Sequence, residues 1–292
     1  MLEKKSLIVI LLLCICMGLF GACNITNKSW TVTQYGNPKG NPMMCYAITN
    51  DKNELMLIDG GYDIDAEMVR AIIEEHDNKV AAWIISHPHP DHVGAFNAIM
   101  KNNTDIEIGD IYTIDVNYDR YKETAQDYDR FDVYEEFLAI TSKMDNVIYL
   151  NENDELEVAG LHMKVLHTWN EHTEGLNVNL LNNGSMMFVL SGEEDSMLFC
   201  SDVENETEAI VLEEHLEDLE VDYIQLGHHG NWGMTTLFYD NTNPRGVFFD
   251  VSNLIMDKTD GAYDAWQMKE YFMNRGVEIY ELRTAPNKIV LE

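Results

Sequence analysis

Apolar residues along the chain occur in two kinds of pattern, which predict an alternation of strands and helices. Short β-branched runs are typical of buried strands. Apolar positions that recur every three or four residues are typical of an amphipathic helix. In the first half, these patterns predict strands at residues 30–35, 43–48, 55–59, 79–85 and 106–114, and helices at residues 64–76, 93–101 and 125–143.

The second half begins with consecutive short strands and then returns to the alternating pattern. Strands are predicted at residues 147–150, 161–166, 177–181, 186–190, 197–200, 221–227, 247–251, 277–280 and 288–291. Helices are predicted over residues 205–219 and 262–275. Strand–helix units at both ends of the chain, with strands between them, predict an α/β fold of two sheets packed face to face with helices outside.

Residues 1–23 follow a separate pattern. Lys4 and Lys5 precede an apolar run at residues 7–20, which is shorter than a membrane span, and Gly21-Ala22-Cys23 follows. This pattern is typical of a signal peptide, and Gly-Ala-Cys resembles a bacterial lipoprotein cleavage site. We therefore expect a single mature domain, residues 24–292, held by a lipid on Cys23 at the extracellular face of the cytoplasmic membrane. Plain secretion and an uncleaved anchor are the alternatives.

Composition narrows the range of partners. The formal net charge is −32, from 19 basic and 51 acidic residues, and such a surface repels nucleic acid and anionic lipid. Contact with the membrane is therefore expected only through the N-terminal lipid. Cys45 and Cys200 lie in apolar, strand-like runs, which indicates buried free thiols rather than a disulfide.

Four potential metal ligands fall within six residues, between the strand at 79–85 and the helix at 93–101. They are His87, His89, Asp91 and His92 in the sequence SHPHPDHVG. His87 and His89 are two apart in extended, proline-flanked backbone, so both side chains point to one side. Imidazole and carboxylate are the ligands of zinc, iron and manganese. The loop therefore predicts two ligand pairs, one for each of two adjacent metal ions.

This loop resembles the HxHxDH motif of the metallo-β-lactamase superfamily. The resemblance implies a four-layer αβ/βα sandwich made of two similar halves. It also implies that Asp59, in an Asp-Gly-Gly after the third strand, supports the metal loop without binding metal. Asp202, at a strand end, would bridge the two metals. Considered alone, Asp202 is also a plausible N-cap for the following helix.

His228-His229-Gly230-Asn231 resembles the HHGS motif of one branch of the superfamily, which includes the hydrolase domain of late-competence proteins and the secreted phosphorylcholine esterases. The resemblance implies that one of these two histidines binds the second metal. We favour His228, which is nearest the strand end, and His229 would then support it or contact the oxyanion of the substrate; the reverse assignment is the alternative. For the third ligand of the first metal, the branch pattern Asn-x-x-Ser favours Asn183, in the segment 182–188. His172 is the alternative, with His167 close by.

Two divalent metals held in this way would lower the pKa of bound water and supply hydroxide near neutral pH. Zinc is the expected metal, with manganese or iron as alternatives. Asp91 and His229 are the predicted catalytic residues, Asp91 by orienting the hydroxide. We expect a metal-dependent hydrolase, foremost a phosphodiesterase that acts on a small molecule or an envelope polymer outside the cell. A secreted nuclease of the same fold and a non-catalytic surface lipoprotein are the alternatives.

Overall fold

The computed structural model describes residues 29–37 and 39–292. The predicted signal peptide, residues 1–23, and its lipid-bearing Cys23 lie outside the described residues, so both stay predictions. Within the described ranges, no helix combines the length and the apolarity that crossing a bilayer requires.

Fourteen strands are found in the described part of the chain. In chain order they are β1 (Trp30–Gln34), β2 (Cys45–Asn50), β3 (Leu55–Asp59), β4 (Lys79–Ile84), β5 (Glu107–Ile114), β6 (Val147–Leu150), β7 (Glu155–Val158), β8 (Leu161–His167), β9 (Met187–Ser191), β10 (Ser196–Phe199), β11 (Tyr223–Gln225), β12 (Gly246–Phe249), β13 (Glu278–Glu281) and β14 (Asn287–Leu291).

The strands form two seven-stranded sheets with matching organisation. The first sheet has the order β14-β1-β2-β3-β4-β5-β6, and the second has the order β13-β12-β11-β10-β9-β8-β7. In the first sheet, β14 to β3 pair antiparallel and β3 to β6 pair parallel. In the second, β7 to β10 pair antiparallel and β10 to β13 pair parallel. The chain changes sheet after β6 and returns with β14.

Helices cover the outer faces of both sheets. They are α1 (Ala66–Glu74), α2 (Pro90–Met100), α3 (Tyr118–Thr124), α4 (Phe131–Thr141), α5 (Glu171–Gly175), α6 (Leu180–Asn183), α7 (Glu208–His215), α8 (Thr236–Tyr239), α9 (Asn253–Met256) and α10 (Ala265–Met273). Between the sheets, Tyr46 of β2 packs edge-on against Phe199 of β10, with ring centroids 5.3 Å apart. A second core cluster joins the second sheet to α7, α8 and α10. The result is the predicted four-layer α/β sandwich.

Packing of β4 against α2 holds the loop between them. Trp83 of β4 is fully buried, and its ring lies edge-on to Phe96 of α2 with centroids 5.1 Å apart. The Trp83 Nε1 also donates a hydrogen bond of 3.0 Å to the Asp59 carbonyl at the end of β3. Both ends of the metal loop are therefore anchored in the core, which limits how far its histidines can move.

Two of the predicted elements were wrong. The helix predicted over residues 125–143 is interrupted, because Asp129 accepts a hydrogen bond from the Gln126 backbone N–H (2.6 Å) and Arg130 adopts a left-handed conformation (φ 49°). The strand predicted at residues 177–181 is replaced by a turn and α6, which begins after the left-handed Asn179 (φ 45°). A short apolar run does not by itself distinguish a strand from a helix. The strand β7 was not predicted.

Candidate metal centre

The predicted site residues lie where strands of both sheets end. Asp59 is the last residue of β3, and His87 and His89 lie between β4 and α2. Asp202 follows β10, and His229 follows β11. In open α/β sheets, ligands bind at the carboxyl ends of parallel strands. Residues up to 170 positions apart in the sequence thus converge at one edge of the sandwich.

His87 and His89 form the first candidate ligand pair. The His87 Nε2 lies 3.0 Å from the His89 Nδ1, and both side chains are buried. Burial and the neighbouring His92 lower the pKa of His87 well below its usual value, so the imidazole is neutral. A neutral imidazole offers the lone pair that a metal requires. The His87 Nε2 also lies 3.8 Å from the Asp202 carboxylate.

Asp91, His92 and His229 form a second candidate group, and Asp202 faces both groups. The His229 Nε2 lies 3.1 Å from the Asp91 Oδ2 and 3.4 Å from the Asp202 Oδ2. The His92 Nε2 lies 3.2 Å from the same Asp202 oxygen. One carboxylate between two sets of imidazoles is the arrangement expected of a group that bridges two cations.

Asp59 lies behind the metal loop. Its carboxylate accepts hydrogen bonds from the Ser86 backbone N–H (2.8 Å) and the Ser86 hydroxyl (2.6 Å). The same carboxylate lies 2.7 Å from the His92 Nδ1. A carboxylate at Nδ1 keeps the proton there and leaves Nε2 as the metal-binding nitrogen of His92.

The structure brings His229, and not the predicted His228, to Asp91 and Asp202. Both histidines have left-handed backbone conformations, with φ of 47° at His228 and 62° at His229. The turn sends the His229 ring into the buried centre, whereas the His228 Nδ1 faces Glu204 at 3.4 Å. As a correction to the prediction, His229 belongs to the candidate ligand group and His228 to the wall beside it.

Neither predicted third ligand of the first metal lies beside His87 and His89. The Asn183 Oδ1 accepts a hydrogen bond from the Thr207 hydroxyl (2.9 Å), and the Asn183 carbonyl lies 2.7 Å from the His167 Nε2. The His172 Nε2 lies 3.2 Å from the Glu206 carbonyl. In place of Asn183, the preceding Asn182 lines the cavity, because a helical turn at α6 points adjacent side chains in different directions.

Sequence reasoning missed Asp129. Its Oδ1 lies 3.2 Å from the His89 Nε2, and the side chain is buried. The contact fixes the outer nitrogen of His89 and leaves Nδ1 directed at His87. Asp129 lies in an acidic stretch, 40 residues after His89, so no local spacing distinguishes it from its exposed neighbours.

The carboxylates of the site shift the pKa values of the groups around them. Burial lowers the pKa of His229, but the Asp202 charge and the hydrogen bonds to Asp202 and Asp91 raise it to about 10. Burial raises the pKa of Asp91, whereas its hydrogen bond with His229 and the nearby histidine charges bring it down to about 2. The carboxylates therefore draw positive charge into a buried site, which favours a divalent cation.

The residues present fit a pair of divalent metals. The His92 Nε2 and the Asp202 Oδ1 are buried without hydrogen-bond partners among the described residues. Buried polar atoms without partners are costly, and these two are an imidazole nitrogen and a carboxylate oxygen, the atom types that bind divalent metals. His87, His89 and Asp202 would hold one ion, and Asp91, His92, Asp202 and His229 the other. A bound divalent metal would supply hydroxide near neutral pH and polarise the bond under attack.

A cavity of about 880 Å³ opens onto the centre. One wall is the face of α2 that carries Asp91, Gly94, Ala98 and Lys101, residues spaced by three or four positions. The other walls include Tyr62, Tyr128, Arg130, Asn179, Asn182, His228 and Trp232. This volume lies within the range of small-molecule sites, about 300–1,000 Å³.

Comparisons with known proteins agree with this geometry. The sequence profile of the metallo-β-lactamase superfamily matches residues 40–240. The chain therefore belongs to the metallo-β-lactamase superfamily, whose fold binds divalent metals, and it is a hydrolase of that superfamily. No curated protein sequence matches the chain.

Solved structures share the fold at low sequence identity. The metallo-β-lactamase fold protein YhfI from Bacillus subtilis is 12% identical, with a TM-score of 0.52 over 90% of this chain and 99% of that one. Zn²⁺-bound PqqB from Methylobacterium extorquens is 11% identical, with a TM-score of 0.52 and the same coverage of both chains. A diphosphatase from the PhnP family is 13% identical, with a TM-score of 0.51 over 91% of this chain and 97% of that one.

Proposed function

We propose that this hydrolase is a binuclear metal-dependent phosphodiesterase. The observation that carries the proposal is the position of Asp202, which faces the His87–His89 pair on one side and His92 and His229 on the other. Two adjacent cations stabilise both the attacking and the leaving oxygens of a phosphoryl group, a task for which a binuclear site is suited. Zinc is the proposed metal because imidazole nitrogen predominates among the ligands.

In this proposal, some residues orient the attacking water or the metal ligands, and others bind the anionic substrate. Asp91 would hold one ion and would orient the attacking water by accepting a hydrogen bond from it. His92 is kept in one tautomer by Asp59, and His89 by Asp129. Lys101 and Arg130 line the cavity and supply positive charge for an anionic substrate, although each also pairs with an acidic side chain, Glu136 and Asp132.

Support for a phosphodiester comes from two sources. The HHG sequence resembles the branch of the superfamily in which phosphodiesters are the favoured substrates. One structural neighbour is a diphosphatase, but at 13% identity it shares only the fold with this chain. The net charge of −32 disfavours nucleic acid as the substrate.

The proposed location is the extracellular face of the cytoplasmic membrane, with secretion as the alternative. The support is the sequence of residues 1–23, in which Lys4, Lys5 and an apolar run precede Gly21-Ala22-Cys23. A lipoprotein would meet a small-molecule or envelope-polymer substrate there. Cys23→Ser should move the full-length protein from the membrane fraction to the soluble or secreted fraction. An unchanged distribution would contradict the lipid anchor.

A panel of substrates tests the reaction class. The purified, Zn²⁺-loaded protein would be assayed with bis(p-nitrophenyl) phosphate, p-nitrophenyl phosphate, single-stranded DNA and a chromogenic β-lactam. We expect the highest kcat/KM for the diester. A preference for DNA would favour the nuclease, and a preference for the lactam would overturn the phosphodiester assignment. Metal binding without turnover of any member would favour a non-catalytic protein.

A further inference from the structure

Trp232 is an exposed aromatic residue at the edge of the metal cavity. It is 52% exposed, and among the large exposed apolar side chains of the described residues only Trp232 and Tyr128 line this cavity. Burial of an indole usually stabilises a protein, because its apolar surface is large. An indole that stays in water beside a metal centre is therefore a candidate contact for a ligand.

Two hydrogen bonds fix the segment that carries this indole. The Trp232 backbone N–H donates to the Asp264 Oδ1 (2.6 Å), and the Asp264 backbone N–H donates to the Asn231 Oδ1 (3.2 Å). The indole stacks on the ring of Tyr263, with centroids 5.0 Å apart and planes inclined by 23°. One face of the indole is thus covered and the other is left open. Trp232 also has left-handed backbone (φ 60°), which is costly and is concentrated at functional sites.

A second cavity, of about 360 Å³, meets the metal cavity at Trp232, which lines both. Its volume lies within the range of small-molecule sites, about 300–1,000 Å³. No lysine or arginine of the described residues lines it, so an anionic group would find no cationic partner there. The polar side chains of its wall are four neutral ones and one carboxylate: Asn205, Thr235, Thr236, Gln267 and Asp264.

This combination of side chains matches the chemistry of a sugar. A pyranose ring has apolar C–H groups on its faces and hydroxyl groups around its edge. The open indole face complements the C–H groups, and the amide, hydroxyl and carboxylate side chains complement the hydroxyls. A nucleobase would also stack on an indole, but the net charge of −32 repels the polyanion that carries nucleobases.

We propose that Trp232 and the second cavity form a sugar-binding subsite, and that the substrate is a phosphodiester of a carbohydrate. The sugar ring stacks on the indole, and its hydroxyls reach the polar wall of the second cavity. The substrate class rests on the proposed function, which places the phosphoryl group at the metals. Trp232 is then a specificity-determining residue, because it selects the group attached to the phosphoryl and does not act on the bond that breaks.

Substrates that share one leaving group test the preference for a sugar. The metal-loaded protein would be assayed with p-nitrophenyl phosphodiesters of methanol, methyl α-glucopyranoside, methyl N-acetyl-α-glucosaminide and thymidine, each sugar linked through its primary hydroxyl. We expect kcat/KM for the better pyranoside diester to exceed that for the methyl diester by about tenfold or more, because stacking adds binding free energy. Equal values for those two diesters, or the highest value for thymidine, would overturn the sugar assignment.

Substitution of the indole locates this preference. In Trp232→Ala, the ratio of kcat/KM between the pyranoside and methyl diesters should fall by about tenfold, whereas Trp232→Phe keeps an aromatic face and should retain most of the ratio. The control is Leu254→Ala, which removes an apolar side chain that is 81% exposed and lines neither cavity. Its ratio should equal that of the wild type. An unchanged ratio in Trp232→Ala would overturn the role of the indole.

Binding of a neutral sugar gives a readout that does not need turnover. Saturation-transfer NMR would be recorded for the metal-loaded protein with methyl α-glucopyranoside and methyl N-acetyl-α-glucosaminide. We expect transfer to the ring C–H protons of at least one sugar in the wild type and its loss in Trp232→Ala. If no diester is hydrolysed, the proposed function fails, and this measurement decides the subsite separately. No transfer in the wild type, or equal transfer in Trp232→Ala, would overturn the subsite.

Discussion

At the scale of single residues, two adjacent histidines have opposite surroundings. His229 lies among Asp91, His92 and Asp202, whereas His228 faces Glu204 and the cavity. The HHG motif predicted that both histidines directly follow a strand, and both follow β11. Which of the two side chains points inward depends on the left-handed backbone conformations of both residues. A sequence does not predict such conformations at histidine, because residues other than glycine rarely adopt them.

Substitution of each histidine tests this placement. We expect His229→Ala to bind one fewer equivalent of zinc than the wild type, because it removes a ligand atom next to Asp91 and Asp202. His228→Ala should retain the wild-type stoichiometry, since His228 is outside both ligand groups. Metal content after dialysis, measured by elemental analysis, gives the result. If His228→Ala loses zinc and His229→Ala does not, His228 is the metal ligand, as the sequence predicted.

Buried His167 makes stability dependent on pH. Burial lowers its pKa from 6.5 to about 4, so the unfolded chain binds a proton there at a higher pH than the folded protein does. This contribution to stability is therefore complete above pH 6.5 and is lost as the pH falls towards 4. The expected loss at pH 4.5 is about 2–3 kcal/mol, because pH 4.5 lies two units below the pKa of the unfolded chain and each unit corresponds to roughly 1.4 kcal/mol.

His167→Gln removes this titration and serves as the comparison. Free energies of unfolding in urea would be measured for both proteins at pH 7.5 and pH 4.5. The advantage of the wild type over the variant should shrink by about 2–3 kcal/mol at the lower pH. An advantage that is constant across this range would show that His167 is not held neutral by burial.

At the scale of elements, α2 and the turn before α1 pack unusually closely. A Cβ on Gly94 of α2 would lie 2.5 Å from the Asp63 backbone nitrogen and 2.7 Å from the Tyr62 carbonyl carbon. Such contacts are with backbone, which cannot rotate away as a side chain can. Glycine at this position therefore allows α2, which carries Asp91 and His92, to lie against the backbone of Tyr62 and Asp63.

Gly94→Ala should destabilise the protein and weaken the centre. Alanine favours a helix by about 1 kcal/mol over glycine, but overpacking against fixed backbone costs about 1–3 kcal/mol. We expect a net loss in the free energy of unfolding of about 1–2 kcal/mol, together with weaker zinc binding. The matched control is Gly175→Ala in α5, where a Cβ meets nothing within 4 Å. Equal stability of the two variants would contradict the close packing.

Elements with strong local signals were predicted well, and those shaped by tertiary contacts were not. The metal loop has apolar anchors on both sides, and its strand and helix begin close to the predicted residues. The break between α3 and α4 depends on Asp129, whose carboxylate accepts from Gln126 and lies beside His89. The apolar spacing there favours a helix from residue 125, whereas the local Asp129–Gln126 hydrogen bond, the left-handed Arg130 and the contact with the distant His89 together delay its start to Phe131.

At the scale of the whole molecule, a polar network joins the two sheets behind the centre. The buried Asp250, which follows β12, accepts hydrogen bonds from the Gln34 Nε2 of β1 (2.7 Å) and the Tyr46 hydroxyl of β2 (3.0 Å). The Asp250 backbone N–H also donates to the His229 carbonyl (3.0 Å). The network therefore links the sheet interface to the turn that carries a candidate ligand.

Tyr46→Phe removes one donor from this buried carboxylate. A hydrogen bond to a charged group contributes about 1.5–3 kcal/mol, and we expect a loss in the free energy of unfolding of this size. Denaturant unfolding at pH 7.5 measures it. In Tyr35→Phe, the hydroxyl removed has no hydrogen-bond partner among the described residues, so a change below about 0.5 kcal/mol is expected. Similar losses in the free energy of unfolding in both variants would show that the hydrogen bond from Tyr46 to Asp250 does not stabilise the protein.

The fold was more predictable than the site because the fold follows from repeated local patterns. Apolar periodicity and the HxHxDH loop were sufficient to predict a two-sheet α/β sandwich. The position of Asp202 between both histidine groups, and the turn of Asn183 towards Thr207, arise only when β4, β10 and β11 are assembled. No spacing along the chain encodes those distances.

Metal-dependent turnover tests the central claim most directly. Hydrolysis of bis(p-nitrophenyl) phosphate would be followed for the chelator-treated protein, and again after Zn²⁺ or Mn²⁺ is restored. His89→Ala and the exposed-histidine control His162→Ala would be assayed beside it. We predict turnover only with metal, a loss of at least about 10²-fold in His89→Ala, and no loss in His162→Ala. Turnover that survives chelation, or is equal in wild type and His89→Ala, would contradict a metal-dependent hydrolase at this centre.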